Sequence, residues 1–323
     1  MKVVVTGANG FLGSALTKRL TTEGYDVHII SRPSSDLSEI KDLRFQNHIG
    51  DISDLTSLNK AFQGAEIIFH LAGVVAYKKS QRPLMDQVNV VGTQNVVTAM
   101  QQQKVKKLLH LSSVVAVGAG FHSGQILNEE SEFNLKHLNL GYFETKRQAE
   151  ALVLKAFHEG LIEPYIVNPS TIYGPADAKK GSRSVQLKVA RGKFPFYTSG
   201  GVNVVSVEDV IEGILLSLNK GKAGQRYILS GENWTIRKLF QEIADSAQVA
   251  PPKILLPNFL LHAIGSLGDH FPTIGISKEN AWTSTLFHWF DNSKAKNELG
   301  FNPRPAKFAI QQSVDWMKAQ GLI

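Results

Sequence analysis

An apolar run, Lys2–Thr6, leads straight into Thr6-Gly7-Ala8-Asn9-Gly10-Phe11-Leu12-Gly13, and an amphipathic stretch over 11–23 follows without a break. A strand that becomes a helix over so few residues needs glycine for positive φ, and the last glycine lets the helix pack closely on a sheet. The first N–H groups of such a helix have no intrahelical acceptors and suit a phosphate. Gly7, Asn9, Gly10, Phe11, Leu12 and Gly13 are therefore expected to cradle a phosphate-bearing ligand, in the strand–turn–helix context that gives a glycine motif its meaning. The spacing is GxxGxxG rather than the commoner GxGxxG, and the competing reading is a tight turn without a ligand.

The rest of the first half repeats the alternation. Short β-branched runs at 26–30, 44–48, 67–71, 108–112 and 165–168 are separated by helical patterns at 55–62, 87–103 and 142–158. Strands alternating with helices imply right-handed crossovers and a parallel sheet covered on both faces. After Pro169 the pattern loosens, with frequent Pro and Gly, strands at 204–207 and 226–229, and helices at 208–218 and 234–247. The expected fold class is α/β: a Rossmann doubly wound parallel sheet with a smaller α+β C-terminal lobe. The division is residues 1–168, with 204–222 returning, as the nucleotide-binding part, and 169–203 with 223–323 as the substrate lobe.

Composition narrows the chemistry. The 323 residues contain no Cys, which excludes disulfides, thiolate catalysis and Cys-based metal sites, and no metal site is expected. The net charge of +7 admits an anionic partner, but the Lys and Arg residues are dispersed, and short clusters such as Lys104, Lys106, Lys107 and Lys179, Lys180 are not interleaved with aromatics. No nucleic-acid-binding signature is present, and no nucleic-acid partner is expected. The longest apolar stretch, 254–267, is broken by Pro257, Asn258 and His262, so no membrane span is expected. The opening apolar run is too short for a signal peptide, and a cytoplasmic location is expected.

Several residues carry specific chemistry. Where an NAD-selecting site would place Asp or Glu at the end of the second strand, this chain has Ser31 and Arg32. A guanidinium and a hydroxyl suit a 2′-phosphate, so NADP(H) is the preferred cofactor and NAD(H) stays open. An ordinary surface arginine is the alternative. Asp51, with Ile52 beside it, follows the third strand and can accept a hydrogen bond from an adenine amino group, or simply cap a helix. Tyr142 and Lys146 are four apart on a helical pattern and leave the same face. An ammonium beside a phenol favours the phenolate and lowers its pKa toward the working range. Ser112 and Ser113 end the 108–112 run, where C-terminal strand ends line a ligand crevice.

With these marks in order, the chain resembles the extended short-chain dehydrogenase/reductases of the NAD-dependent epimerase/dehydratase superfamily, most of all the dihydroflavonol-reductase-like enzymes. The marks are TGANGFLG (6–13), GDISD (50–54), HLAG (70–73), VNVVGT (88–93), LSS (111–113), Tyr142-x-x-x-Lys146, NPSTIYGP (168–175) and VEDV (207–210). The resemblance implies that Tyr142 is the proton donor and acceptor, that Lys146 lowers its pKa and binds ribose, and that Ser113 positions the substrate oxygen. It implies that Asn89 supports a proton-relay water, that Leu71, Ala72 and Gly73 lie over the cofactor, and that the backbone of Asn168, Pro169 and Ser170 meets the nicotinamide. His70 ends a strand. It also implies a small-molecule substrate, and it allows a homodimer paired through 87–103 and 142–158.

The expected reaction is NADP(H)-dependent reduction of a carbonyl, or oxidation of an alcohol. A sugar-nucleotide epimerase or dehydratase is the alternative. It needs arginines for a diphosphate, and Arg183, Arg191 and Arg226 are candidates better read as surface residues. A sensor that binds NADP(H) without chemistry is the third reading, and the intact Ser113, Tyr142 and Lys146 oppose it. Apolar residues around 194–196, 254–261 and 282–289 fit a hydrophobic substrate or a core.

Overall fold

The computed structural model describes residues 1–179, 183–271, 273 and 275–323; Lys180 falls outside them. The first half runs β1 (Lys2–Thr6), α1 (Phe11–Thr22), β2 (Asp26–Ser31), β3 (Gln46–Ile49), α2 (Leu55–Phe62), β4 (Ile67–His70) and α3 (Arg82–Met85). A π-helical turn, Asp86–Val91, joins α3 to α4 (Gly92–Gln102), followed by β5 (Lys107–Leu111), α5 (Gly141–His158) and β6 (Glu163–Pro169). The second half contains β7 (Thr171–Tyr173), α6 (Ser184–Ala190), β8 (Phe196–Tyr197), β9 (Gly201–Ser206), α7 (Val207–Lys220) and β10 (Arg226–Leu229). It continues with β11 (Glu232–Thr235), α8 (Ile236–Ala247), β12 (Ile254–Leu255), α9 (Asn258–His270), α10 (Lys278–Thr285) and α11 (Ala306–Ala319).

The main sheet has seven strands in the order β3-β2-β1-β4-β5-β6-β10, and every pairing is parallel. The chain winds outward in both directions from β1 and β4, so the Rossmann doubly wound sheet is realised. The central strands β1 and β4 are apolar on both sides because both faces are covered, whereas the edge strand β3 is polar and largely exposed. Val3, Val5, Ile29 and Phe69 meet α1 and α7 on one face; Val4, Ile68 and Leu108 meet α2, α4 and α5 on the other. The helices α4 and α5 pack against one another on that second face. Smaller sheets, β11-β9-β7 and β12-β8, build the rest.

Three boundaries differ from the sequence reading. The strand at Arg226–Leu229, assigned to the second lobe, is the edge of the main sheet, pairing with β6 from Arg226↔Ile166 to Leu229↔Pro169. Its Tyr227, Ile228 and Leu229 are fully buried, and Phe290 and Phe301 from the C-terminal segment cover it. Conversely, β9 pairs with β7 and β11 outside the main sheet, while the helix after it does return to the main core. The helix expected from 234 begins at Ile236, because Trp234 is spent in an antiparallel pair with Val202; Thr235 caps it, accepting from Lys238 N.

Candidate active site

The doubly wound order reverses between β1 and β4, and a crevice opens at such a switch point beyond the strand ends. Thr6 and His70 are register partners there. Gly7 has φ +76°, and a Cβ on it would come within 2.7 Å of Ala72 N. A Cβ on Gly13 would collide with the Gly7 carbonyl oxygen. The turn itself demands these two glycines. Gly10 differs: it is exposed, and a Cβ there would meet only Gly7 O at 3.2 Å. Gly10 is the N-cap of α1, and no side chain caps that end. The bare face at Gly10 thus gives a pyrophosphate the close backbone approach it needs, and the residues present fit a dinucleotide. Leu12 is part of the core, and Phe11 reaches toward the Gly174 loop.

At the end of β2, Arg32 is 63% exposed and its Nε lies 3.9 Å from Asp51 Oδ2. Asp51 Oδ1 accepts from Ser53 N at 2.8 Å, and Ile52 is buried under α4. The Ser31 side chain is buried and its hydroxyl donates to Asn47 Oδ1 on β3 at 2.9 Å; Asn47 is the register partner of Ile29, so it lies on the same face of the sheet as Ser31.

The loop after β4 is pinned from several sides. His70 does end a strand, and it also joins two elements: Nδ1 faces Thr6 Oγ1 at 2.8 Å and Nε2 faces Thr93 Oγ1 at 3.0 Å. Burial holds its pKa down to about 3, so the ring is neutral. Ala72 N donates to Thr6 Oγ1, and Leu71 N to Thr6 O. Asn89 is buried, and its amide is already engaged: Oδ1 accepts from Val74 N at 2.8 Å, while Nδ2 donates to Val74 O at 3.0 Å and Thr145 Oγ1 at 3.1 Å. It ties the loop to α5. A Cβ on Gly73 would lie 3.3 Å from Asn89 Oδ1 and 4.0 Å from Lys146 Nζ, so the loop and the lysine meet.

Tyr142 and Lys146 sit in the first turns of α5 and face the end of β5. Desolvation and then the neighbouring Tyr77 push the pKa of the Tyr142 phenol well above its ordinary value, against a smaller lowering by Ser113 beside it. Lys146 Nζ donates to Leu111 O at 2.6 Å, at the end of β5. A four-residue spacing shares a face, but the long lysine stem carries its ammonium on to the β5 carbonyl. Burial lowers the Lys146 pKa to about 8 against the opposing pull of Glu150.

Beneath this pair lies a buried polar knot that the motifs do not announce. Glu150 Oε2 accepts from Ser112 Oγ at 2.5 Å and from Asn168 Nδ2 at 2.8 Å. Glu150 Oε1 faces Arg226 Nε at 3.0 Å, as an ion pair without hydrogen-bond alignment. Asn168 Nδ2 also donates to Ser113 O at 3.0 Å. Ser112 is thus bound inward, and Ser113 is the serine left at the phenol. Asn168 Oδ1 is buried without a hydrogen-bond partner. Ser170 donates to Asn203 Oδ1, and Pro169 is the last residue of β6. Glu150 was readable in principle: it lies eight residues after Tyr142 and four after Lys146, on one helix stripe.

The arginines sort themselves. Arg191 is exposed, Arg226 is tied to Glu150, and Arg183 is buried over the Tyr173 ring, 4.0 Å from its centroid, not a surface residue. Phe194 packs in the core against Phe240, whereas Trp282 shares an apolar cluster with Tyr142. Among the described residues no group of three or more His, Asp or Glu is gathered as metal ligands, and no helix is long and apolar enough to cross a membrane.

Residues 3–230 match the model of the NAD dependent epimerase/dehydratase family. A Synechocystis protein named for dihydroflavonol 4-reductase is 30% identical over 99% of this chain and 95% of its own. The sterol demethylase protein B of Methylococcus capsulatus is 28% identical over the full length of both. The crystal structure of gox2253 is 34% identical, covers 99% of each chain and superposes with a TM-score of 0.88.

Proposed function

The chain belongs to the NAD dependent epimerase/dehydratase family and is an NAD(P)-dependent oxidoreductase of the extended short-chain type, and from that premise we propose that it uses NADP(H) to reduce a carbonyl, or to oxidise the matching alcohol, with Tyr142 as general acid/base. The observation that carries this reading is the Tyr142 phenol. It stands at the start of α5, partly buried beside Trp282, with Lys146 one turn on reaching the Leu111 carbonyl, and it carries its proton at neutral pH. A protonated phenol is a donor, which serves the reducing direction.

In this reading Gly7, Asn9, Gly10, Phe11, Leu12 and Gly13 hold the pyrophosphate. Arg32 takes the 2′-phosphate, and Asp51 with Ile52 meets the adenine. Leu71, Ala72 and Gly73 cover the dinucleotide, Tyr142 and Lys146 hold its ribose, and Asn168, Pro169 and Ser170 receive the nicotinamide end. The bound cofactor supplies hydride. Ser113 orients the substrate oxygen beside Tyr142, which gives its proton as the oxygen becomes an alcohol. Lys146, protonated below about pH 8, offers positive charge once ribose hydroxyls compete for its ammonium. Asn89 fixes the loop over the cofactor. The substrate class supported by Trp282 beside Tyr142, and by relatives named for a dihydroflavonol and a sterol enzyme, is a bulky apolar ketone or aldehyde.

Tyr142→Phe tests the assignment. NADPH oxidation with a carbonyl acceptor should fall by about 100-fold or more, with NADPH affinity within about twofold; unchanged turnover would remove Tyr142 from the mechanism.

A further inference from the structure

The helix that carries Tyr142 and Lys146 starts without a cap of its own. Its N-cap is Leu140, which offers no side-chain hydrogen bond. The first N–H groups of a helix need acceptors, above all where the start is buried, as Gly141 is. Two of them are met from the far end of the chain: Gly141 N donates to Glu279 Oε2 at 2.9 Å, and Tyr142 N to Glu279 Oε1 at 3.0 Å. A carboxylate on two N–H groups at a positive helix end is a strong contact. The fit is close. A Cβ on Gly141 would stand 2.7 Å from Met85 Cε and 3.4 Å from Glu279 Oε2.

Glu279 is itself held firmly. It lies in the first turn of α10, behind the reciprocal Ser277–Asn280 cap. Ser277 Oγ donates to Tyr77 O at 2.5 Å, and the Tyr77 ring stands edge-on to Tyr142, 6.4 Å between centroids. One helix start therefore grips the backbone of both tyrosines.

We propose that Glu279 is a positioning residue for Tyr142: by capping α5 from α10 it sets where the phenol stands against Ser113 and links that placement to the packed pair α9 and α10. The inference rests on the reading of Tyr142 as the general acid/base. It also carries a pH dependence. Arg82 favours the Glu279 carboxylate, Asp269 opposes it, Tyr77 faces it, and burial raises its pKa above the usual carboxylate range. The clamp holds in the ionised form and loosens as the pH falls through that raised value.

The test uses the full chain and Glu279→Gln, which keeps the volume but turns one acceptor into a donor facing an N–H. Amide hydrogen exchange at Gly141 and Tyr142 should speed up by about 10-fold or more, while NADPH affinity stays within about twofold. With a carbonyl substrate, kcat should fall about 10-fold at little-changed KM, because misplacing a reacting group by a fraction of an ångström costs that much. Glu279→Asp, which keeps the charge, should recover part of the loss. The acid-side fall in kcat that follows Glu279 protonation should vanish in the Gln variant. Unchanged exchange at those two amides, or kcat equal to wild type, overturns the proposal. So does a loss spread evenly over exchange, cofactor affinity and thermal stability, which marks a merely structural contact. Should Glu279→Gln not fold, Ser277→Ala reads the same exchange with a smaller increase, and no increase there is equally fatal. If the wild type reduces no carbonyl, the reductase reading fails, while the exchange still decides the clamp.

Discussion

The two ends of the crevice are built by different means. On the glycine-turn side the geometry comes from backbone: Gly7 and Gly13 are forced by close approach, and Arg32 stands open to solvent. On the Tyr142 side it comes from buried side chains brought from distant segments. Lys146 reaches Leu111, Glu150 gathers Ser112, Asn168 and Arg226, and Glu279 caps α5 from 137 residues away. The first side is cheap to build and easy to read. The second costs desolvation, which pushes the Tyr142 phenol up and the Lys146 ammonium down from their ordinary values.

The largest break in this comparison comes from Lys146→Met. Turnover should drop by about 100-fold or more if Lys146 serves the reacting oxygen and ribose. Yet the free protein should become more stable at pH 7, on the order of 1–2 kcal/mol, because a depressed lysine pKa means that the charged form is disfavoured in the fold. The sign follows from the pKa values. Below about pH 8 Lys146 is protonated both folded and unfolded, and the penalty is complete. Between about 8 and the ordinary 10.5 the folded form gives up its proton first, so wild-type stability recovers as pH rises. Denaturant melts of both proteins across that window check it; a variant less stable than wild type at pH 7 would remove the idea that this lysine is held at a cost. No such cost should attach to the exposed side of the crevice.

A smaller effect, on binding alone, is expected from Arg32→Ala. NADPH should bind about 10–100-fold more weakly, the worth of one charge-assisted phosphate contact, with NADH nearly unchanged and stability within about 0.5 kcal/mol. Titration of both dinucleotides by fluorescence reads it. Equal losses for the two would end the 2′-phosphate assignment.

The same contrast explains what a sequence can disclose. The glycine turn, the parallel alternation and the Tyr142–Lys146 spacing are local patterns, and each reappears in the structure. The contact of Ser31 with Asn47 is a matter of strand pairing that the run 26–30 does not carry. Asn89 lies in a readable motif, but its partners Val74 and Thr145 are set by tertiary packing. The Leu111 contact of Lys146 is hidden for a related reason: a shared helix face fixes direction, not where a long side chain ends. Arg226–Leu229 has the doubly apolar pattern of a covered strand, yet only the return of the chain beside β6 reveals its sheet. Glu279 has no local signal at all.

The central claim is net hydride transfer to a carbonyl. The most direct measurement supplies NADPH carrying deuterium at its transferable position, together with apolar aldehydes and ketones, and in parallel supplies UDP-sugars without added cofactor. The account predicts an alcohol bearing the deuterium, with one NADPH consumed per product. Conversion of a UDP-sugar with no net NADPH consumption, and no labelled alcohol from any carbonyl, would contradict it.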